Sequence, residues 1–314
     1  MSVNVLFAAL RVRWTQYEAP LRAAFDKVGV SVNLIAGDAP YEPSQIDYIV
    51  YAPNSDVHDF APFTRCKAVL NLWAGVEDVV GNDSLTQPLA RMVDFGLTEG
   101  MVEWCVGHVM RHHLGMDAHI HGQDGEWRAG IIPHLARDRV ITVLGMGELG
   151  REVALALAGL RFQVRGWSRS MRAIDGVTTF AGADGLAGAL DGADGVVLLL
   201  PNTPATENTL NAEAMAALKP GAFVVNPGRG SLLDDAALIA ALDAGQIGHA
   251  TLDVFRVEPL PKDHPFWAHP KVTVTPHIAS ETRASSAAEV IAENVRRGEA
   301  GEAFLHLVDR SAGY

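Results

Sequence analysis

The sequence predicts an α/β protein of two lobes, each built on a parallel sheet. Three observations point there. Short apolar runs alternate with helical patterns along the chain, as in sheets covered by helices on both faces. A glycine-rich run, Gly145-Met146-Gly147-Glu148-Leu149-Gly150, separates an apolar run from an alanine- and leucine-rich segment. That unit starts late in a chain of 314 residues, so a complete lobe has room to precede it.

Taken in order, Val3 to Ala8 reads as a strand and Gln16 to Val28 as a helix stopped by Gly29. Val30 to Ile35, Ile46 to Tyr51 and Ala68 to Leu72 are further strands, and Leu97 to Leu114 a long helix. Asp117 to Pro133 reads as an irregular connection. Val140 to Leu144 is the strand before the glycines, the helix after them runs to about Ala158, and Phe162 to Trp167 is the next strand. Strands follow at Gly195 to Leu200, Ala222 to Val225, His249 to Val254 and Val272 to Val274. Helices are expected over Glu213 to Leu218, Asp234 to Ala244 and Ala284 to Arg297. Two lobes imply a cleft between them in which ligands bind.

A hydrophobic fraction of 48% is that of a globular chain and excludes general disorder. The formal charge of −12 argues against nucleic acid and anionic membrane as partners. Cys66 and Cys105 are too few for a disulfide scaffold or a cysteine-rich zinc site. The chain shows no basic-then-apolar leader and no apolar run of membrane-spanning length, so the cytoplasm is the expected address.

Strand, glycine turn, helix and strand together form a dinucleotide-binding fingerprint. Gly145 permits the tight turn, Gly147 lets the backbone approach a pyrophosphate, and Gly150 lets helix and strand pack closely. Met146, Glu148 and Leu149 complete the loop that meets the phosphates at the helix N-terminus. NAD-binding units place an acid about twenty residues after the first glycine, to hold the ribose hydroxyls. Here that place reads Trp167-Ser168-Arg169-Ser170, with Arg172 behind and no carboxylate before Asp175. Arg169 can pair with a 2′-phosphate, which favours NADPH and leaves NADH possible.

Ligands of open α/β sheets bind at the carboxyl ends of strands. That edge here receives Leu200, Pro201 and Pro204 after one strand, and Pro227, Gly228 and Arg229 after the next; all are assigned to the cofactor side of the site. Asp253 and Glu258 follow a third strand and His277 a fourth. Singly, Arg229 reads as a solvated cation, Glu258 as a loop charge and His277 as a turn histidine. Three such residues after strands of one sheet read instead as a catalytic set. Reduction of a ketone needs a proton donor, and histidine supplies one near neutral pH. A neighbouring glutamate keeps the imidazole charged. Arg229 can fork to the carboxylate and carbonyl of a 2-oxo acid, and both Arg229 and His277 border the nicotinamide. In the first lobe, Trp73, Ala74, Gly75 and Val76 join a strand to a helix, either as an ordinary turn or as one whose Gly75 and Val76 N–H groups face an anion. His108, His112, His113, His119 and His121 lack paired acids at helix spacing; they read as surface or interface residues, and no metal site is expected.

These residues resemble the D-isomer-specific 2-hydroxyacid dehydrogenase family, and within it the short bacterial members that reduce glyoxylate and hydroxypyruvate. The likeness covers nearly the whole chain: NLWAGVED, VLGMGELG, WSRS, LLLPNTPAT, NPGRGSLLDD, LDVFRVEPLP, HPKVTVTPHIAS and the terminal Gly313-Tyr314. It implies that Arg229 binds substrate, that Glu258 is the partner of His277, and that His277 is the acid/base. It implies further that Asp253 contacts the nicotinamide carboxamide and that Trp73 to Val76 receive the substrate carboxylate. Pro227-Gly228 departs from the family, whose members more often carry alanine or a similar small residue before the arginine. The implied layout has two Rossmann-like or flavodoxin-like lobes, the cofactor lobe (101–284) inserted into a substrate lobe (1–100 with 285–314). It also implies a homodimer formed through the cofactor lobe and a connection within Leu97 to Pro133. The implied reaction is reduction of a small 2-oxo acid to the D-2-hydroxy acid. A dehydrogenase for another 2-oxo acid, or a nucleotide-sensing binding protein of corepressor type, are the alternatives.

Overall fold

The structure, a computed structural model, describes residues 2–127, 129 and 132–313. Met1 and Tyr314, at the ends of the expected substrate lobe, and Arg128, Gly130 and Ile131, in the expected connection, lie outside the described residues.

The elements run β1 (Val3–Ala8), α1 (Arg11–Val28), β2 (Val32–Ala36), β3 (Tyr48–Tyr51), β4 (Ala68–Asn71), α2 (Glu77–Val80) and β5 (Leu89–Ala90). Then come α3 (Phe95–His113), α4 (Met116–His121), β6 (Val140–Leu144), α5 (Glu148–Gly159), β7 (Gln163–Ser168), β8 (Val177–Ala181) and α6 (Gly182–Leu190). The chain continues through β9 (Gly195–Leu198), α7 (Ala212–Ala217), β10 (Ala222–Asn226), α8 (Asp235–Asp243), β11 (Ile247–Leu252), β12 (Val272–Val274) and α9 (Ala284–Ala300). They form two compact units, Met1–Leu97 with Glu281–Tyr314, and Thr98–Ser280.

The first unit holds a sheet of order β2-β1-β3-β4-β5, every pairing parallel. This is the flavodoxin-like order. β3 and β4 are buried along their whole length, because parallel strands are covered on both faces. α1 turns Tyr17, Leu21, Ala24 and Phe25 inward at helical spacing. α9, from the far end of the chain, adds Ala288, Ile291 and Val295 to the same core as Phe7 and Phe25. Truncating Ile291 to alanine would cost about 2–5 kcal/mol through lost burial and the cavity left behind.

The second unit holds a sheet of order β12-β11-β10-β9-β6-β7-β8, again parallel throughout. β6 is central, with β7 and β8 to one side and β9 to β12 to the other, so the strand order reverses between β6 and β9. That is the switch point at which a Rossmann sheet receives its ligand.

Several elements differ from the sequence expectation. The connection from Asp117 is not wholly irregular: after Gly115 takes a left-handed φ of 61°, α4 forms over Met116–His121. α1 begins at Arg11 rather than Gln16, since Trp14 tucks against Phe7, ring centroids 5.4 Å apart, without any apolar period announcing it. β8 and α6 escaped the sequence reading. α6 carries three glycines, which have low helix propensity; a Cβ on Gly188 would lie 3.0 Å from the Phe180 ring, so that glycine is a packing position. β11 starts two residues earlier than expected, at Ile247, and a Cβ on Gly248 would lie 2.6 Å from the Gly221 carbonyl oxygen, so the backbones pass closely there.

Candidate active site

β6 ends in the buried Leu144, and Gly145 follows with φ of +106°, the left-handed region that favours glycine. A Cβ there would stand 2.3 Å from the Leu199 carbonyl oxygen, so the loops after β6 and β9 touch at the switch point. A Cβ on Gly150 would stand 1.7 Å from the Gly145 carbonyl oxygen. Gly147 has nothing within 4 Å of its Cβ position, which leaves open space over the loop. α5 begins without a side-chain cap, so the N–H groups of its first turn are available to an anion. Met146 is buried against Gly166, Glu148 is exposed, and Leu149 is half-buried. This cradle fits a dinucleotide pyrophosphate.

At the end of β7 the Ser168 hydroxyl donates to the Ser170 carbonyl at 2.7 Å, folding the chain so that Arg169 and Ser170 are exposed. After β9, Leu199 N–H donates to the Leu144 carbonyl at 2.7 Å. The Thr206 hydroxyl donates to the Pro201 carbonyl at 2.6 Å and accepts from Thr203 N–H at 3.0 Å. Leu200 is buried, Pro201 half-buried and Pro204 exposed in that knotted loop. Thr206 was not singled out from sequence; its place two residues after Pro204 was the only signal.

β10 ends at Asn226, whose fully buried side chain organises the arginine loop. Its Nδ2 donates to the Arg229 carbonyl at 2.9 Å and its Oδ1 accepts from Gly228 N–H at 3.1 Å. Gly230 is the point of closest approach: a Cβ there would lie 2.0 Å from the Phe255 carbonyl carbon. The loop bearing Arg229 therefore lies directly on the loop that ends in Glu258. Arg256 ties the same loops together, donating to the Leu233 carbonyl at 2.5 Å and pairing with Glu207 at 3.2 Å.

His277 has a φ of 55°, unusual for a side chain with a Cβ. Asp253 holds it there. His277 N–H donates to the Asp253 carbonyl at 2.8 Å. The Asp253 carboxylate accepts from the Thr275 hydroxyl at 2.5 Å, Ile278 N–H at 2.9 Å and Ala279 N–H at 2.8 Å. The aspartate expected beside the nicotinamide is thus fully buried and directs both oxygens into the histidine turn.

His277 Nδ1 lies 2.7 Å from Glu258 Oε2, and Glu258 Oε1 accepts from Phe255 N–H at 2.8 Å. The hydrogen bond to Glu258 raises the His277 pKa above its ordinary value, against burial and the Arg229 charge. Burial pushes Glu258 up, but the hydrogen bonds from His277 and Phe255 N–H outweigh it and hold the carboxyl below its ordinary range. The structure thus brings Arg229, Glu258 and His277 to one edge of one sheet. There a guanidinium stands near an imidazole that is hydrogen-bonded to a carboxylate.

The Trp73 to Val76 loop belongs to the first unit. Buried Asn71 donates through Nδ2 to the carbonyls of Trp73 at 2.9 Å and Gly75 at 2.8 Å. In a trans peptide the next N–H points opposite its carbonyl, so the N–H groups of Ala74 and Val76 face away from Asn71. Val76 belongs to the expected pair Gly75 and Val76, and the Asn71 clamp adds Ala74 to the N–H groups turned away from it.

The histidines of α3 and α4 are not all surface residues. His119 and His121 are exposed, but His113 is buried with its ring edge on Phe162, centroids 4.9 Å apart. His112 sits over β11, 4.8 Å from the His249 ring. Burial lowers the pKa of His112 to about 3 and of His249 to about 4. α3 lies along the sheet face, which its sequence of mixed polarity did not reveal.

A profile of the D-isomer specific 2-hydroxyacid dehydrogenase NAD binding domain matches residues 105–279. A glyoxylate/hydroxypyruvate reductase A from Serratia proteamaculans is 41% identical, over 88% of this chain and 90% of its own. One from Yersinia enterocolitica is 39% identical, over 85% and 88%. A crystal structure of a D-isomer specific 2-hydroxyacid dehydrogenase from Xanthobacter autotrophicus, in complex with NADPH and MES, has a TM-score of 0.93 at 39% identity, covering 100% of both chains. An NADPH-dependent glyoxylate/hydroxypyruvate reductase from Sinorhizobium meliloti, in complex with NADP and sulfate, has a TM-score of 0.86 at 34% identity, also over 100% of both.

Proposed function

The chain belongs to the D-isomer-specific 2-hydroxyacid dehydrogenase family, and on that premise we propose that it reduces glyoxylate or hydroxypyruvate to the D-2-hydroxy acid with NADPH. The observation that carries this reading is the His277–Glu258 pair at 2.7 Å on the sheet edge that also presents Arg229. Thr98–Ser280 is the cofactor unit and the remainder the substrate unit, close to the lobes 101–284 and 1–100 with 285–314.

Gly145 to Gly150 and the first turn of α5 would hold the pyrophosphate, and Arg169 with Ser168 and Ser170 the 2′-phosphate, so NADPH is preferred and NADH is used less well. Leu200, Pro201, Pro204, Pro227 and Gly228 would line the path to the nicotinamide. When bound, that ring supplies the hydride. Arg229 grips the carboxylate and carbonyl oxygen of the 2-oxo acid, which orients and polarises the carbonyl. The Ala74 and Val76 N–H groups would offer donors to a carboxylate. With Nδ1 of His277 committed to Glu258, the proton for the substrate oxygen leaves from Nε2. Asp253 keeps the histidine turn rigid, which makes it a positioning residue.

The same reading carries a homodimer through the segment after α3, where Ile120 is 54%, Trp127 94% and Ile132 88% exposed. Among the described residues no helix is long and apolar enough to cross a membrane.

Consumption of NADPH with a panel of 2-oxo acids tests the proposal. Glyoxylate and hydroxypyruvate should give the highest kcat/KM, above pyruvate and branched 2-oxo acids. NADPH binding without turnover of any of them would mark a nucleotide sensor instead.

A further inference from the structure

A second polar cluster in the Thr98–Ser280 unit stands apart from this chemistry. One ring nitrogen each of His112 and His249 and a carboxylate oxygen of Asp117 all lie within 4.8 Å of one another. They come from α3, β11 and α4. We propose that these three side chains form a binding site for a divalent transition metal, zinc in the first instance, that ties α4 to the sheet.

Two imidazole nitrogens and one carboxylate oxygen are the donor set zinc takes in three-residue sites, with water in the fourth position. The surroundings are those of a prepared site. His249 Nε2 is 2.9 Å from the Thr273 hydroxyl oxygen and His112 Nε2 is 2.9 Å from that of Thr251. Hydroxyls placed in this way fix ring orientation as the outer partners of metal ligands do. With Nε2–H of His249 donating to Thr273, the Nδ1 lone pair faces Asp117 Oδ2 at 3.8 Å. A tetrahedral zinc spaces its donors about 3.3–3.5 Å apart on bonds of about 2.0–2.2 Å, so a small inward movement closes the site.

Arg111 is an opposing charge to weigh. Its Nε donates to Asp117 Oδ1 at 2.6 Å, which leaves Oδ2 to the imidazoles and orients the carboxylate. All three ligands are half-buried, open enough for an ion to enter. His108, one helical turn before His112, has a buried Nδ1 with no hydrogen-bond partner among the described residues. It widens the polar wall of the site without being one of the three.

Calorimetric titration of the untagged, chelator-stripped full chain with Zn2+ tests this. The expected result is one equivalent bound with micromolar affinity, weakened at least tenfold in Asp117→Asn and in His249→Ala and unchanged in the double variant His119→Ala, His121→Ala. At a hundredfold excess over Kd, Zn2+ should raise Tm by about 4 °C in the parent and not in Asp117→Asn. Co2+ should give the intense visible bands of a tetrahedral site. Absence of a one-equivalent event, binding that survives Asp117→Asn, or loss of binding in the His119, His121 variant would each overturn the proposal. Should His249→Ala fail to fold, Asp117→Asn and the Co2+ spectrum decide. The outcome is independent of whether the chain reduces 2-oxo acids, because none of the three readouts involves turnover.

Discussion

Two histidine sites flank strand β11 and titrate in opposite directions. Past its carboxyl end, His277 touches Glu258 at 2.7 Å, its side chain 54% exposed, and its pKa is raised. Along its body, His249 lies 3.8 Å from an Asp117 already engaged by Arg111, its side chain 18% exposed, and its pKa falls to about 4. Both have a carboxylate nearby. What separates them is whether that carboxylate makes a direct hydrogen bond or stands off, paired with a guanidinium, where its pull is outweighed by burial. In the roles proposed above, the first arrangement serves as a proton donor and the second as a pair of metal ligands.

The largest effect that would break this contrast is at the exposed site. His277→Ala should lower kcat for reduction by about 100- to 10,000-fold while leaving NADPH binding, followed by fluorescence, nearly unchanged. Unaltered turnover would remove His277 from the chemistry. Arg229→Ala should raise KM for the 2-oxo acid and lower kcat together, reducing kcat/KM by about 1,000-fold, since the side chain both binds and polarises. A loss confined to NADPH affinity would make Arg229 a cofactor residue.

Smaller effects sharpen the comparison. Arg169→Ala should raise KM for NADPH by about tenfold and leave that for NADH nearly unmoved, the size of one charge-assisted hydrogen bond. Equal losses for both would return Arg169 to the role of a surface charge. The buried site predicts an acid signature. In the metal-free chain the folded pKa values of about 3 and 4 lie below the ordinary 6.5, so the unfolded chain takes up protons first as pH falls. Stability should be full above pH 6.5 and decline below it, and His249→Gln should flatten that decline in urea titrations at stepped pH. An unchanged slope would mean His249 is not the group responsible.

Much of the exposed site could be read in the sequence because its signals are local. Gly145, Gly147 and Gly150 sit between an apolar strand and an alanine-rich helix, and Arg229, Glu258 and His277 each follow an apolar run. What holds them was not legible. Asp253 bracing the His277 turn, Asn226 tying the Arg229 loop and Asn71 setting which N–H groups of Trp73 to Val76 turn outward all depend on backbone atoms met only in the fold. The buried site was harder still. His112 has no acid at helix spacing, its neighbours being Asp117 beyond the end of α3 and His249 on a distant strand. α6 was hidden for another reason: its glycines argue against a helix, and two of the three, Gly185 and Gly188, pack against Phe180.

The proposal that Glu258 keeps His277 charged has its most direct test in the pH dependence of kcat/KM for glyoxylate reduction, in the parent and in Glu258→Gln. A raised pKa means that the donor is present below the ordinary 6.5 and is lost only as pH climbs through the higher folded value. The parent should therefore hold its rate past pH 6.5, and the alkaline limb of Glu258→Gln should move to lower pH. An alkaline limb at the same pH in both proteins would contradict the account.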